Sequence, residues 1–211
     1  MTRALGTGRD SRKNASGPDD GKRRTVTSSG TAGSGASQGL VIVHTGDGKG
    51  KSTAALGMVI RAIGNGMRAI VLQFFKGARP TGELILNDLV VEGARAQVEI
   101  VQLGEGFTWE VGPQRSLYLA QEAWKRCQQA IASGAYDLVV CDEINIALSK
   151  GFLSVAAVVQ ALGERPPHVH VVLTGRSAPE ALMAAADLVT EMRLVKHPHG
   201  LGVPAQPGIE F

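Results

Sequence analysis

Aromatic residues are scarce in this 211-residue chain, at 4% of the total, so each one is worth locating. Cysteine is scarcer still. Cys127 and Cys141 stand in no C-x-x-C or other paired spacing, which argues for free, buried thiols rather than metal ligands or nucleophiles, and a reducing cytoplasm fits them. No apolar run approaches the roughly 20 residues that cross a bilayer, and the N-terminus lacks the apolar core of a secretory signal. Net charge is small too. The formal +3 divides unevenly: residues 1–38 carry seven Lys/Arg and three Asp/Glu, a balance of +4, which leaves fifteen basic against sixteen acidic residues in 39–211, a balance of −1. The basic character belongs to the tail, and the remainder has no electrostatic footprint for nucleic acid.

What is present is a hydrophobic fraction of 44%, enough for one sizeable core. Residues 1–38 are Gly, Ser, Thr and charge, and such a segment cannot bury enough apolar surface to offset its ordering entropy. A disordered tail over 1–38 and one domain over 39–211 are therefore expected. From Gly39 onward strands and helices alternate. LVIVH (40–44), RAIVLQFF (68–75), QVEIVQL (97–103), DLVVCDE (137–143), HVHVVLTG (168–175) and LVTEMRLV (188–195) read as strands, the first three as buried ones. Between them, Ser52–Ile63, Pro113–Ser133, Ser154–Leu162 and Pro179–Ala186 read as helices, with Pro113 where a first turn tolerates proline. This alternation predicts an α/β three-layer sandwich, a mostly parallel sheet covered by helices on both faces.

The strongest chemical signal is HTGDGKGKST (44–53), between the first strand and the first helix. It follows the phosphate-loop pattern G-x-x-x-x-G-K-S/T, with one departure: Thr45 stands where the first glycine belongs, and Gly46 follows it. Gly46, Gly48 and Gly50 let the backbone fold tightly and aim N–H groups inward, and the helix start adds its partial positive charge. Lys51 can bridge phosphate oxygens, the Ser52 hydroxyl can ligate Mg²⁺, and Lys49 adds a second cation. Asp47 and Thr53 complete the expected ATP-binding segment. VVCDE ends in Asp142 and Glu143, the Walker B arrangement of apolar residues followed by an acid, so Ser52, Asp142 and Glu143 are the expected ligands of Mg²⁺ or Mn²⁺. The alternative for one of these acids is to cap the next helix. Arg176, in TGR (174–176), follows a strand at the edge where ligands bind in open α/β sheets; it suits a phosphate or ribose contact, or a surface ion pair. His197 and His199 lack further ligands to make a metal site, and His44 reads as a strand-end residue.

A phosphate loop leaves the chemistry open. Beyond it lie QFFKG (73–77) with Gly82 and Glu83, GFTW (106–109), CDE (141–143), ERP (164–166), TGR, ADLVTEMRLVKHP (186–198) and AQPGIEF (205–211). In this order and spacing, over residues 39–211, the strings resemble the cobalamin (corrinoid) adenosyltransferases of the bacterial cob(I)alamin type. The resemblance implies a RecA-like P-loop fold that binds ATP in reversed polarity. The loop then grips triphosphate as a leaving group while the ribose 5′ carbon faces Co(I) of a reduced corrinoid, cobalamin or a ring precursor such as cob(I)yrinic acid a,c-diamide. Lys49 and Lys51 become the catalytic cations, facing charge that builds on the triphosphate. The resemblance also implies that Phe107 and Trp109 pack on the corrinoid and displace its lower axial ligand, with Glu83 in the corrinoid site; the other reading of the aromatic pair is a loop anchored to the core. An electron-donating reductase and a homodimer are implied as partners.

Many relatives carry a charged amphipathic helix before the first strand, and residues 1–38 do not resemble it. An ordinary P-loop ATPase or phosphotransferase, and a non-catalytic ATP-dependent switch, are the alternatives. Removal of residues 1–36 is expected to leave melting temperature and adenosylation rate almost unchanged, because the segment has no apolar face to dock; a rate loss of roughly tenfold in the truncated chain would instead make the tail a cover for the site.

Overall fold

Strand order is what brings the distant motifs together. The computed structural model describes residues 38–77, 81–88, 97–106 and 111–210, apart from the side chain of His199. In chain order its strands are β1 (Val41–Thr45), β2 (Ala69–Gln73), β3 (Val98–Gln102), β4 (Leu138–Asp142), β5 (His170–Thr174) and β6 (Leu188–Glu191). They form one sheet in the order β3-β2-β4-β5-β1-β6, and every pairing is parallel. The sheet is thus wholly rather than mostly parallel. The phosphate-loop strand β1 and the acidic strand β4 flank β5, so all three C-terminal ends open onto one edge.

Successive side chains on a strand point to opposite faces, and two cores follow from that. Val41, Val43, Leu72, Val139, Cys141 and Leu173 face one side. There they pack on α2 (Pro113–Ser133), α4 (Val155–Gly163) and Leu182 of α5 (Glu180–Ala185). The intervening residues Ile42, Val71, Val140 and Val172 meet Ala55, Val59, Ala62 and Ile63 of α1 (Lys51–Gly64) on the other side. Helix α2 buries Ser116, Ala120, Ala123, Trp124, Cys127, Ala130 and Ile131, one helical stripe, with Pro113 in its first turn as expected. This is the expected three-layer sandwich. Both cysteines are free and buried; burial, and then the neighbouring Cys141 sulfur, push the Cys127 thiol well above its usual range.

Several boundaries differ from the sequence expectation. β2 stops at Gln73, and Phe74 and Phe75 follow it as fully or nearly buried side chains of the first core. β3 is only half-buried, because it is an edge strand, and β6 at the other edge is exposed throughout. A short helix α3 (Ile144–Ser149) follows β4 at once, and 3-10 turns span Gly82–Asp88 and Pro198–Leu201; these pieces are too short to show an apolar period. Residues 1–37, and with them the tail reading, lie outside the described residues, as do Phe107 and Trp109. No described helix is long and apolar enough to cross a membrane.

The segment after β2 is held by close backbone packing. A Cβ on Gly104 would stand 2.7 Å from the Phe74 oxygen and from Phe75 backbone atoms, and one on Gly77 would stand 1.7 Å from the Gly104 oxygen. The Gly104 N–H donates to the Lys76 carbonyl at 2.9 Å. Gly104→Ala is therefore expected to lower stability by about 1–3 kcal/mol, the scale of overpacking, and to weaken ATP binding by moving Lys76. Gly57→Ala is the control: nothing lies within 4 Å of its added Cβ, and in a helix interior it should stabilise by up to about 1 kcal/mol. A melt and an ATP titration of both variants check this.

Candidate functional site

The site is assembled from strand ends. Gln73 lies opposite Asp142 across β2 and β4, Cys141 opposite Leu173 across β4 and β5, and His44 opposite Thr174 across β1 and β5. Register alone therefore sets Gln73, Asp142, Thr174 and the loop after β1 side by side.

The loop itself turns on Gly46 and Gly50, at φ 91° and 111°, a region open to glycine. Gly50 is the N-cap of α1, so the first helical N–H groups and the positive end of the dipole face the loop. Gly48 donates its N–H to the Met192 carbonyl at 2.6 Å, fixing the loop on the chain after β6. Lys51 is buried, and its ammonium curls back to donate to the carbonyls of Gly46 (2.7 Å) and Gly48 (2.6 Å). Burial lowers its pKa; nearby Glu143 opposes that effect and Arg176 adds to it. Lys49 forms an ion pair with Glu210. Asp47 is exposed but acts on the Lys51 charge, and Thr53 is exposed on the first turn of α1.

Asp142 is the hub. Its Oδ1 accepts from Ser52 Oγ at 2.6 Å and from Thr174 Oγ1 at 2.7 Å. Its Oδ2 lies 3.4 Å from both Gln73 Nε2 and Lys76 Nζ. Thr174 Oγ1 also accepts the Glu143 N–H at 2.9 Å, which ties the acidic pair to β5. Glu143 stands at the N-cap of α3 with φ 68°, yet its side chain makes no capping bond. The capping alternative therefore fails for its carboxylate, whose Oε2 is buried with no hydrogen-bond partner. Burial, and then the charge of Asp142, raise the Glu143 pKa, with Lys51, Lys76 and Arg176 acting the other way, to about 7.

The expected residues are thus brought together: Gly46, Asp47, Gly48, Lys49, Gly50, Lys51 and Ser52 in the loop, Asp142 and Glu143 beyond it, and exposed Arg176 within electrostatic reach of Lys49 and Lys51. Glu83, on the 3-10 turn, accepts from Gln73 Nε2 and Lys76 Nζ, both at 2.9 Å. Burial would raise its pKa, but those two bonds, a backbone hydrogen bond and the Lys76 charge together hold it at about 2. Lys76, Gln73, Thr174 and Glu210 were not singled out from the sequence. A polar Gln closing an apolar strand was the available signal for Gln73. Asn145 belongs with them: buried, it donates to the carbonyls of His44 (3.3 Å) and Gly175 (3.1 Å), joining β1 to β5 at the site. His44 is buried within β1, its Nδ1 3.3 Å from the Lys51 carbonyl. Beside the loop, a cavity of about 310 Å³ is lined by Thr45, Gly46, Asp47, Ser177, Met183 and Glu191. Among the described residues no group of three or more His, Cys, Asp or Glu side chains forms a metal cluster.

A parallel sheet with a phosphate loop after β1 and an acidic pair at the end of β4, the two strands separated by one other, defines a P-loop nucleotide-binding protein. The family model described as ATP:corrinoid adenosyltransferase BtuR/CobO/CobP matches residues 37–211. A corrinoid adenosyltransferase of a Sinorhizobium species is 48% identical over 176 residues, 82% of this chain and 81% of that one. The enzymes of the same name from Pseudomonas aeruginosa and Escherichia coli K12 are 47% and 40% identical over 175 residues, again 82% of this chain and 84% and 86% of theirs. The chain belongs to the ATP:corrinoid adenosyltransferase family and is an enzyme of that class.

The raised Glu143 carboxyl gives a signed pH dependence. The unfolded chain releases this proton near pH 4.3 and the folded one near pH 7. Folded protein therefore holds more protons in between, and stability falls as pH rises through that window. Glu143→Gln cannot titrate. In metal-free buffer with EDTA its stability should match the parent near pH 4 and exceed it above pH 8, by at most about 4 kcal/mol. Denaturant melts across pH check this; a gap that shrinks with rising pH would contradict it.

Proposed function

We propose that this chain transfers the 5′-deoxyadenosyl group of ATP to the Co(I) centre of a reduced corrinoid in cobalamin biosynthesis or salvage, releasing triphosphate. The observation that carries this reading is the convergence of Lys51, Ser52, Asp142 and Glu143 on one sheet edge in a chain of this family. The phosphate loop holds the triphosphate, so that the bond broken is the one between the ribose 5′ carbon and its phosphate oxygen. Co(I) supplies the electron pair for the new Co–C bond, and no general base is required. Lys49 and Lys51, with the loop N–H groups, face the charge that gathers on the departing oxygen, and Arg176 adds a third cation at the rim. Both lysines change partners on the way: Lys51 gives up two carbonyls and Lys49 gives up Glu210.

The oxygen donors also suit a hard divalent cation, Mg²⁺ or Mn²⁺. Ser52 Oγ and Asp142 Oδ1 are already 2.6 Å apart, and the buried Oε2 of Glu143 lacks a partner. Ser52, Asp142 and Glu143 are the residues that would hold the ion. When bound, such an ion neutralises phosphate charge and so lowers the cost of releasing triphosphate.

Phe107 and Trp109 are proposed to pack on the corrinoid face and displace its lower axial ligand, with Glu83 at the border of that site. We further propose a homodimer, a separate protein that reduces cobalt, and a cytoplasmic location, the last because two free thiols suit a reducing compartment.

Incubation with ATP, Mg²⁺ and chemically reduced cobalamin, followed by product analysis, tests the reaction. Adenosylcobalamin and triphosphate should appear in equal amounts. ADP and phosphate would mark a γ-phosphate enzyme instead. Lys51→Ala should fold normally and lose on the order of 10²–10³ in rate, the scale for a preorganised donor. A near-normal rate in that variant would remove Lys51 from the site.

A further inference from the structure

The edge that has to admit a polyphosphate carries three acids. Glu83, Asp142 and Glu143 border the same few side chains, and Asp142 and Glu83 are bridged through Gln73 and Lys76. An uncompensated carboxylate at this distance repels an incoming phosphate, and in a partly buried setting the repulsion is weakly screened. The loop cations are directed elsewhere: Lys51 donates to two loop carbonyls and its charge acts on Glu143, while Lys49 is paired with Glu210.

Lys76 is the ammonium placed among the acids. Its Nζ stands 2.9 Å from Glu83 Oε1 and 3.4 Å from Asp142 Oδ2. The position is built rather than incidental. The buried rings of Phe74 and Phe75 fix the preceding residues, and Gly77 and Gly104 pack backbone on backbone just after it. Gln73 makes parallel contacts to the same two carboxylates, so Asp142 keeps its orientation even if one donor moves.

We propose that Lys76 is the counter-ion that lets this acidic edge accept a triphosphate: a positioning residue that acts through Asp142 and Glu83 and sets the charge of the site. The proposal rests on the reading of the phosphate loop as an ATP site. Charge, not shape alone, is what Lys76 contributes, and charge can be restored from a second position.

Calorimetric titration of the full chain with ATP, in EDTA and separately with Mg²⁺, tests this. Lys76→Met should weaken ATP binding in EDTA by about tenfold or more, since one uncompensated charge acts at short range. The deficit should shrink with Mg²⁺, whose charge substitutes in part for the ammonium. Lys76→Arg keeps the charge and should bind within about threefold of the parent, and Glu83→Gln alone should bind ATP more tightly in EDTA. The decisive variant is Lys76→Met/Glu83→Gln, which removes both charges and should recover most of the loss. Unchanged ATP affinity in Lys76→Met, or a double variant no better than Lys76→Met, would overturn the counter-ion role. If the parent chain bound no ATP at all, the ATP-site reading would fall and this proposal with it.

Discussion

The carboxylate of Asp142 is the contact on which the rest of the site depends. It sits at the end of β4, buried, and accepts hydroxyl hydrogen bonds from α1 and β5 on one oxygen and faces nitrogen donors from the end of β2 and the segment after it on the other. A buried charge without partners costs several kcal/mol, so those four groups cannot move independently. The phosphate loop, the strand beside it and the segment carrying Lys76 are in effect pinned to one atom pair. Parallel register makes this feasible, because all strand C-termini lie on the same edge and the side chains after them have nowhere else to converge.

The loop is self-satisfied as well as positioned. Lys51 donates to two carbonyls of its own loop, Lys49 pairs with Glu210, and the Gly48 N–H is held by Met192. On the proposed reading, a polyphosphate exchanges one set of loop partners for another. Those internal partners have to be released before the lysines can face a leaving group, so that reorganisation falls at binding and not at the moment of reaction. Glu143 is the exception, a buried carboxyl with an unpartnered oxygen and a pKa near 7, and that local cost is characteristic of a group kept for chemistry.

Much of this was legible in the chain. Apolar runs bounded by glycine and acid placed β1 and β4 to within a residue, and Pro113 and Ser133 bounded α2 as they stand. The loop residues and the acidic pair were legible because phosphate and cation chemistry demand particular side chains at fixed spacing, and that demand is local. What the sequence could not express was adjacency. Gln73, Lys76 and Glu83 meet Asp142 only because β2 pairs with β4, and Asn145 joins β1 to β5 from a helix too short to show a period. Glu210 reaches Lys49 from the far end of the chain. The sequence by itself determined the six strands, four of the described helices, the phosphate loop and the family; the tertiary structure alone decided which charges face one another, because that depends on strand order, and strand order leaves no periodic trace in the residues it brings together.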